Sequence, residues 1–211
     1  MSAGAGITTG DRPTGKRSTS AATGRKQSER LTLDQYRAIH ATAPGWLQVA
    51  MDLSLITLQR RGDVVRMRYD DERDGRLEVD QGKTGAALSV EIGAELRAVI
   101  KRSRADGVLS PFIVHRRSQR RAAGQEHRTQ VAEEMVTRAF AEARDSLPEL
   151  AAMEPERRPT FHEIRALGGR MYEEAGWTRG EIQALMGHAD EEMTEHYLQG
   201  HAGRRTITRT R

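Results

Sequence analysis

Apolar residues recur at helical spacing through most of this chain, and the spacing shortens to two in only one region. Order is predicted to begin at Leu31, where Thr32 and Gln35 have the spacing of a capping box and Leu31 is placed to staple onto Tyr36. Trp46, Val49, Leu53 and Ile56 then step along one face of a second helix running to the neighbourhood of Arg60. Three short strand segments follow, residues 68–71, 76–80 and 87–90, with turns at Asp74-Gly75 and from Gly82 to Gly85. Helical periodicity returns over residues 91–104 and 130–143. Thr160 and Glu163 form another capping box, opening a helix that buries Ile164, Leu167 and Met171 and stops near Gly176. Thr178 and Glu181 open the next, with Ile182, Leu185 and Met186 inward and Gly187 as its stop. Asp190 is placed to cap a short last helix in which Met193 and Tyr197, four apart, share a face. The pattern predicts an α+β fold: one mainly helical domain with a small three-stranded antiparallel sheet.

Residues 1–28 are rich in Gly, Ser, Thr and basic side chains, have almost nothing to bury, and read as a flexible basic tail or linker. Residues 29–202 are enough for a core of their own. In the C-terminal tail, residues 203–211, the stretch Arg205 to Arg209 alternates like a short edge strand with Ile207 as its only apolar anchor.

Cysteine is absent, which excludes disulfides and thiolate catalysis and fits a reducing cytoplasm. No apolar run is long enough for a membrane span and no signal-peptide core is present, so a soluble cytoplasmic protein is expected. The formal charge of +4, carried mostly by arginine, favours phosphate backbones as partners. Residues 115–128 concentrate that charge without a large apolar side chain. They read either as a solvated loop or as one that grips DNA phosphates through Arg116, Arg117, Arg120 and Arg121, adding affinity rather than sequence reading.

The candidate chemistry lies in residues 162–197, where His162-Glu163-Ile164-Arg165 is followed by Leu185-Met186-Gly187-His188 and then Tyr197. A helix that opens here turns unpaired backbone N–H groups and the positive end of its dipole toward any anion, and His162 and Arg165 share a face of it. His188 falls just past a helix end, and Tyr197 hangs beside the same pocket. Singly, each residue is ordinary: a helix-start histidine is usually solvated, and an amphipathic tyrosine usually packs. Gly82-Lys83-Thr84-Gly85 is usually a plain turn, and it lacks the upstream glycine of a phosphate-binding loop. Order and spacing together carry the weight.

These residues resemble the C-terminal half of the tyrosine recombinases, and most closely the integrases of lambdoid phages. That family carries His-x-x-Arg, a Leu-x-Gly-His segment and a nucleophilic tyrosine, matched by His162 to Arg165, Leu185 to His188, and Tyr197. It also needs an arginine followed three residues on by an acid, and a lysine at a β-hairpin turn; Arg60 with Asp63 supplies the first and Lys83 the second. Arg61 is a rival to Arg60 but has no acid at that spacing. One position departs: the family usually has glycine two residues before this arginine, where this chain has Leu58, a difference that bears on backbone shape more than on chemistry.

The resemblance, over roughly residues 29–211, implies cutting and rejoining of double-stranded DNA at attachment-type sites through a 3′-phosphotyrosyl ester, with no metal and no cofactor. Arg60, Arg165 and His188 would hold the phosphate and Tyr197 would attack it, with Tyr172 in reserve. His162 would serve as base or hydrogen-bond donor, Lys83 as general acid, and Asp63 would orient an arginine. It further implies a monomer when free and a homotetramer on DNA, in the bacterial cytoplasm or nucleoid, with the C-terminal tail exchanged between subunits. Family members also carry N-terminal core-binding and, in lambdoid integrases, arm-binding domains, which residues 1–30 are too few to form, so a piece holding the catalytic domain is expected. Other readings are a type IB topoisomerase, which relaxes supercoils with the same residues, and a DNA-binding module that cuts nothing. A metal-dependent hydrolase on His188, His196 and His201, with Glu192 and Glu195, matches no common zinc spacing.

Overall fold

The computed structural model describes Met1 and residues 30–121, 123–187 and 205–210. Helix α1 (Leu33–Thr42) opens with Thr32 accepting from the Gln35 amide while the Gln35 side chain accepts from the Thr32 amide, both halves of the expected capping box. Helix α2 (Gly45–Thr57) is buried almost all round, with Leu47, Val49, Met51, Leu53, Leu55 and Ile56 inside, so it forms the axis on which α1, α4 (Ala94–Arg104), α5 (Glu133–Asp145) and α7 (His162–Glu174) pack. The approach of α7 to α2 is close enough to dictate a residue: a Cβ at Gly168 would stand 2.4 Å from the Leu55 carbonyl oxygen. Short helices α3 (Arg61–Val64) and α6 (Pro148–Ala151) connect these elements, and α8 (Arg179–Met186) follows α7, opened by the predicted Thr178–Glu181 box and closed by Gly187 at φ 66°.

The sheet has the order β1-β2-β3-β4, with β1 (Glu72–Arg73), β2 (Arg76–Asp80) and β3 (Ala87–Glu91) antiparallel, as expected, and β4 (Thr206–Thr208) added parallel to β3. The expected three-stranded sheet is therefore four-stranded and mixed. Asp74 and Gly75 both take positive φ, the two-residue turn that an Asp-Gly pair specifies between twisted strands. The predicted first strand at 68–71 is instead one bridge, Arg68 to Phe112, followed by a 3₁₀ turn over Tyr69–Asp71. The Asp71 carboxylate accepts from the Arg68 amide at 2.8 Å and pulls the chain out of extension there. Helix α4 begins three residues later than expected because Glu91 pairs with Arg76 in the sheet, and α5 begins later because Gln130 bridges to His115. In β4, Thr208 is buried and Ile207 points outward at 70 % exposure, so the strand is held by polar contacts and not by the apolar anchor expected. Arg205 reaches Glu78 and Asp80 at 2.7 Å each, and Arg209 reaches Glu181 at 3.0 Å while lying over the Trp177 ring.

Leu58, where the resemblance usually has glycine, takes φ 55° and ψ 26°. The left-handed turn that glycine serves is thus kept with a leucine, at a cost of about 1–2 kcal/mol. Its side chain is fully buried, and a Cβ at Gly168 would come within 2.6 Å of its Cδ2. Removing a buried leucine side chain costs about 2–5 kcal/mol, more than the strain it relieves. Leu58→Gly is therefore expected to lower the midpoint of urea unfolding, with a net loss of about 1–3 kcal/mol; a raised midpoint would show that backbone strain outweighs packing at this site.

Candidate active site

Where α2 ends, the left-handed turn at Leu58 sends the chain back toward the sheet and presents Gln59 and Arg60 before α3. The β2–β3 turn, carrying Lys83, is tied down from the same side: the Gly82 amide donates to Asp63 Oδ1 at 2.9 Å. The first turn of α7 brings His162 and Arg165 in from a third direction. Together Arg60, Asp63, Lys83, His162 and Arg165 line one cleft of about 530 Å³, with Arg61, Arg66 and Glu133 at its side. Four of the six catalytic residues proposed from the sequence thus converge. The other two, His188 and Tyr197, lie outside the described residues, as do His196, His201, Glu192 and Glu195 of the metal reading and the predicted last helix.

Arg165 is the most perturbed charge in the site. It is 5 % exposed, and its Nη2 donates to the Met186 carbonyl at 2.9 Å. Burial, and then the neighbouring Arg60 guanidinium, lower its pKa to about 10, while the Asp63 carboxylate opposes the shift. Below pH 10 the group is charged in the folded and the unfolded chain alike, so the penalty of burying it is fully present at neutral pH and is relieved only as the pH rises through about 10. An anion entering the cleft would bring the counter-charge that lifts this penalty.

Arg60 is half-buried, and its Nη1 donates to Gln81 Oε1 at 3.3 Å. Its rival Arg61 bonds Glu133 through Nε at 3.3 Å. Asp63, 4 % exposed, holds Arg66 at 2.6 Å as well as the Gly82 amide, so its direct bonds go to Arg66 and the hairpin while its charge acts on Arg165 through space. Lys83 and His162 are exposed at the mouth. Glu163 accepts from the Thr160 amide at 2.6 Å as the capping box requires, although the helix proper starts at His162.

The chain has four tyrosines. Three turn their hydroxyls inward: Tyr36 to Asp52 at 2.6 Å, Tyr69 to Ser103 at 2.8 Å, and Tyr172 to the Ile56 carbonyl at 2.6 Å. Tyr172 is fully buried, which withdraws it as a reserve nucleophile. Of the loop arginines, Arg116, Arg117, Arg120 and Arg121 are all exposed, on a loop closed at its base by Arg116 N to the Thr129 carbonyl at 3.0 Å. His115, grouped with that loop by its polarity, is instead a buried strut between the Phe112 carbonyl at 2.8 Å and Asp106 at 3.0 Å. Sequence reasoning passed over Gln59, Gln81 and Arg66. Gln81 did carry a signal, since it continues the inward alternation of Leu77 and Val79 and so places a polar side chain on the buried face.

The phage integrase family model matches residues 29–204, and the chain belongs to that family. It is 33 % identical over 176 residues to the integrase of Escherichia phage HK022, a match covering 80 % of this chain and 46 % of that protein. The solved catalytic core of lambda integrase superposes with a TM-score of 0.64 at 28 % identity, covering 86 % of this chain and 98 % of that one. A lambda integrase tetramer bound to a Holliday junction gives a TM-score of 0.66 at 27 % identity, over 88 % of this chain and 52 % of that one. The chain spans about half the length of the phage integrases it matches. Among the described residues no helix is long and apolar enough to cross a membrane.

A buried guanidinium lining a cleft beside a second one predicts an anion response. Sulfate at a hundred times its dissociation constant should stabilise the protein by about 2.7 kcal/mol, read as a rise in Tm. Arg165→Met should abolish that rise; a retained rise would place the anion site elsewhere.

Proposed function

We propose that this chain is the catalytic domain of a site-specific DNA recombinase, an integrase that cuts and rejoins double-stranded DNA through a 3′-phosphotyrosyl intermediate. The observation that carries the reading is the convergence of Arg60, Lys83, His162 and Arg165 from separate segments of the chain onto one cleft. Arg60 and Arg165 grip the non-bridging oxygens of the scissile phosphate, where planar forks suit the geometry better than an ammonium. His188 donates to the same phosphate. Tyr197 attacks phosphorus; its phenolic proton goes to His162 where that residue acts as base, and to solvent water where His162 instead donates a hydrogen bond to the phenol oxygen. The bond to the 5′-oxygen breaks, and Lys83 gives that oxygen a proton. The products are a 3′-phosphotyrosyl ester and a free 5′-hydroxyl. Because the ester keeps the bond energy, a second strand's 5′-hydroxyl reverses the step and exchanges strands, and the sequence of bonds calls for neither ATP nor a metal. Asp63 steadies the clamp through the hairpin amide and through its field at Arg165.

Residues 1–28 serve as basic tail or linker, residues 29–202 as the catalytic domain and residues 203–211 as a tail passed to a neighbouring subunit; β4, held by ion pairs and with its one apolar side chain outward, suits such a transfer. Monomers assemble as a homotetramer on DNA, in the bacterial cytoplasm or nucleoid. The testing experiment is covalent capture from a pool of nicked duplexes of randomised core sequence. The wild type should yield SDS-stable adducts and Tyr197→Phe none, with DNA binding unchanged; an adduct from the Phe variant would remove Tyr197 as the nucleophile.

The exposed loop arginines are assigned to DNA phosphates. Replacing Arg116, Arg117, Arg120 and Arg121 by Ala should weaken binding to all sequences alike and flatten the salt dependence by up to about 0.9 in log–log slope for each phosphate no longer neutralised. An unchanged slope would make the loop merely solvated.

A further inference from the structure

Gln81 is 2 % exposed, and its side chain makes four hydrogen bonds to four different residues. Nε2 donates to Gln59 Oε1 at 2.5 Å and to the Met186 carbonyl at 2.8 Å. Oε1 accepts from the Thr84 hydroxyl at 2.6 Å and from Arg60 Nη1 at 3.3 Å. Two donors and two accepting lone pairs are the full capacity of a primary amide. The amide's orientation is also fixed, since a backbone carbonyl only accepts and a guanidinium only donates.

The partners come from every part of the cleft. Gln59 and Arg60 lie between α2 and α3, Thr84 follows Lys83 in the hairpin turn, and Met186 ends α8, two positions ahead of His188. The Met186 carbonyl also receives Arg165. The backbone of Gln81 closes the hairpin as well, its N–H donating to the Ala86 carbonyl and its carbonyl accepting from the Gly85 amide, each at 2.9 Å. The packing leaves no slack: a Cβ at Gly187 would stand 2.6 Å from the Gln81 amide nitrogen, so Gly187 is required both for its left-handed φ and for the space Gln81 fills.

We infer that Gln81 is a positioning residue, a single buried amide that sets the Arg60 fork, the Lys83 hairpin and the end of α8 in one mutual geometry around the phosphate. No other side chain of this size serves. A carboxylate has no proton to give Met186 or Gln59, and a methionine offers Arg60 and Thr84 no comparable acceptor. The role rests on the recombinase reading, in which these groups share one phosphate.

The test uses the full chain with Gln81→Met and Gln81→Glu, in two arms. The first uses inorganic sulfate alone, which probes the clamp without any reaction. Gln81→Met should weaken sulfate roughly tenfold, and in the wild type the Gln81 side-chain amide resonances should shift during sulfate titration with the dissociation constant given by thermal melting. The second uses a duplex recovered by covalent capture, made with oxygen or sulfur at the 5′-bridging position. Both variants should slow oxygen cleavage about 10- to 100-fold, and the sulfur substrate, whose leaving group needs no acid, should recover part of that loss. A purely structural role predicts something else: a lower Tm or fewer active molecules, with sulfate affinity and single-turnover rate constant unchanged, and that result overturns the proposal. Unmoved amide resonances in the wild type overturn it too, whether or not the variants fold. If the wild type binds sulfate but never forms an adduct, the recombinase reading fails while the sulfate arm still decides whether Gln81 sets the clamp.

Discussion

A guanidinium taken out of water beside a second guanidinium is an arrangement that a protein can hold only with support from several sides. Arg165 sits in this position, shielded by α7 and α2, facing Arg60, and relieved by the Met186 carbonyl and the field of Asp63. Each support comes from a different stretch of chain, so the pair of like charges depends on the whole fold closing correctly around it. In return the cleft holds a guanidinium away from bulk water, where an anion would be attracted more strongly than at a solvated surface. The helices and the sheet meet here, and the sheet contributes its hairpin as a wall of the same cleft.

Two kinds of bond hold that wall. Apolar packing of Leu77, Val79, Leu88 and Val90 fixes the strands against the core. Hydrogen bonds from the Gly82 amide to Asp63, from Thr84 to Gln81 and from Gln81 to the Met186 carbonyl fix the turn beyond the strand ends, where packing no longer reaches. Division of labour of this kind leaves Lys83 itself exposed while its backbone is tethered on both sides.

The longer helices among the described residues were legible because their signals are local, the boxes at Thr32 and Thr178 and the stop at Gly187 needing only a few neighbouring residues to act, whereas the short α3 and α6 carried no such signal. So were the Asp74-Gly75 turn and the limits of β2. What stayed hidden depends on partners far along the chain. Nothing near Thr206 announces a parallel strand beside β3, and the outward Ile207 runs against the usual inference that an apolar residue anchors its strand. In the site, arginine, lysine and histidine spacing pointed to residues that the fold brings to one cleft. The glutamines that bind the cleft together are defined by contacts across many residues, and His115 was misplaced because a buried strut and a surface cation share one letter.

The left-handed turn at Leu58 has a consequence for binding thermodynamics. Glycine there would visit many backbone states and leave Arg60 to be ordered when a phosphate arrives. Leucine has one narrow well in that region of φ and ψ, and its buried side chain locks the turn into it. On the proposed recombinase reading, the backbone entropy of aligning Arg60 would therefore be surrendered during folding and not at the encounter with a phosphate.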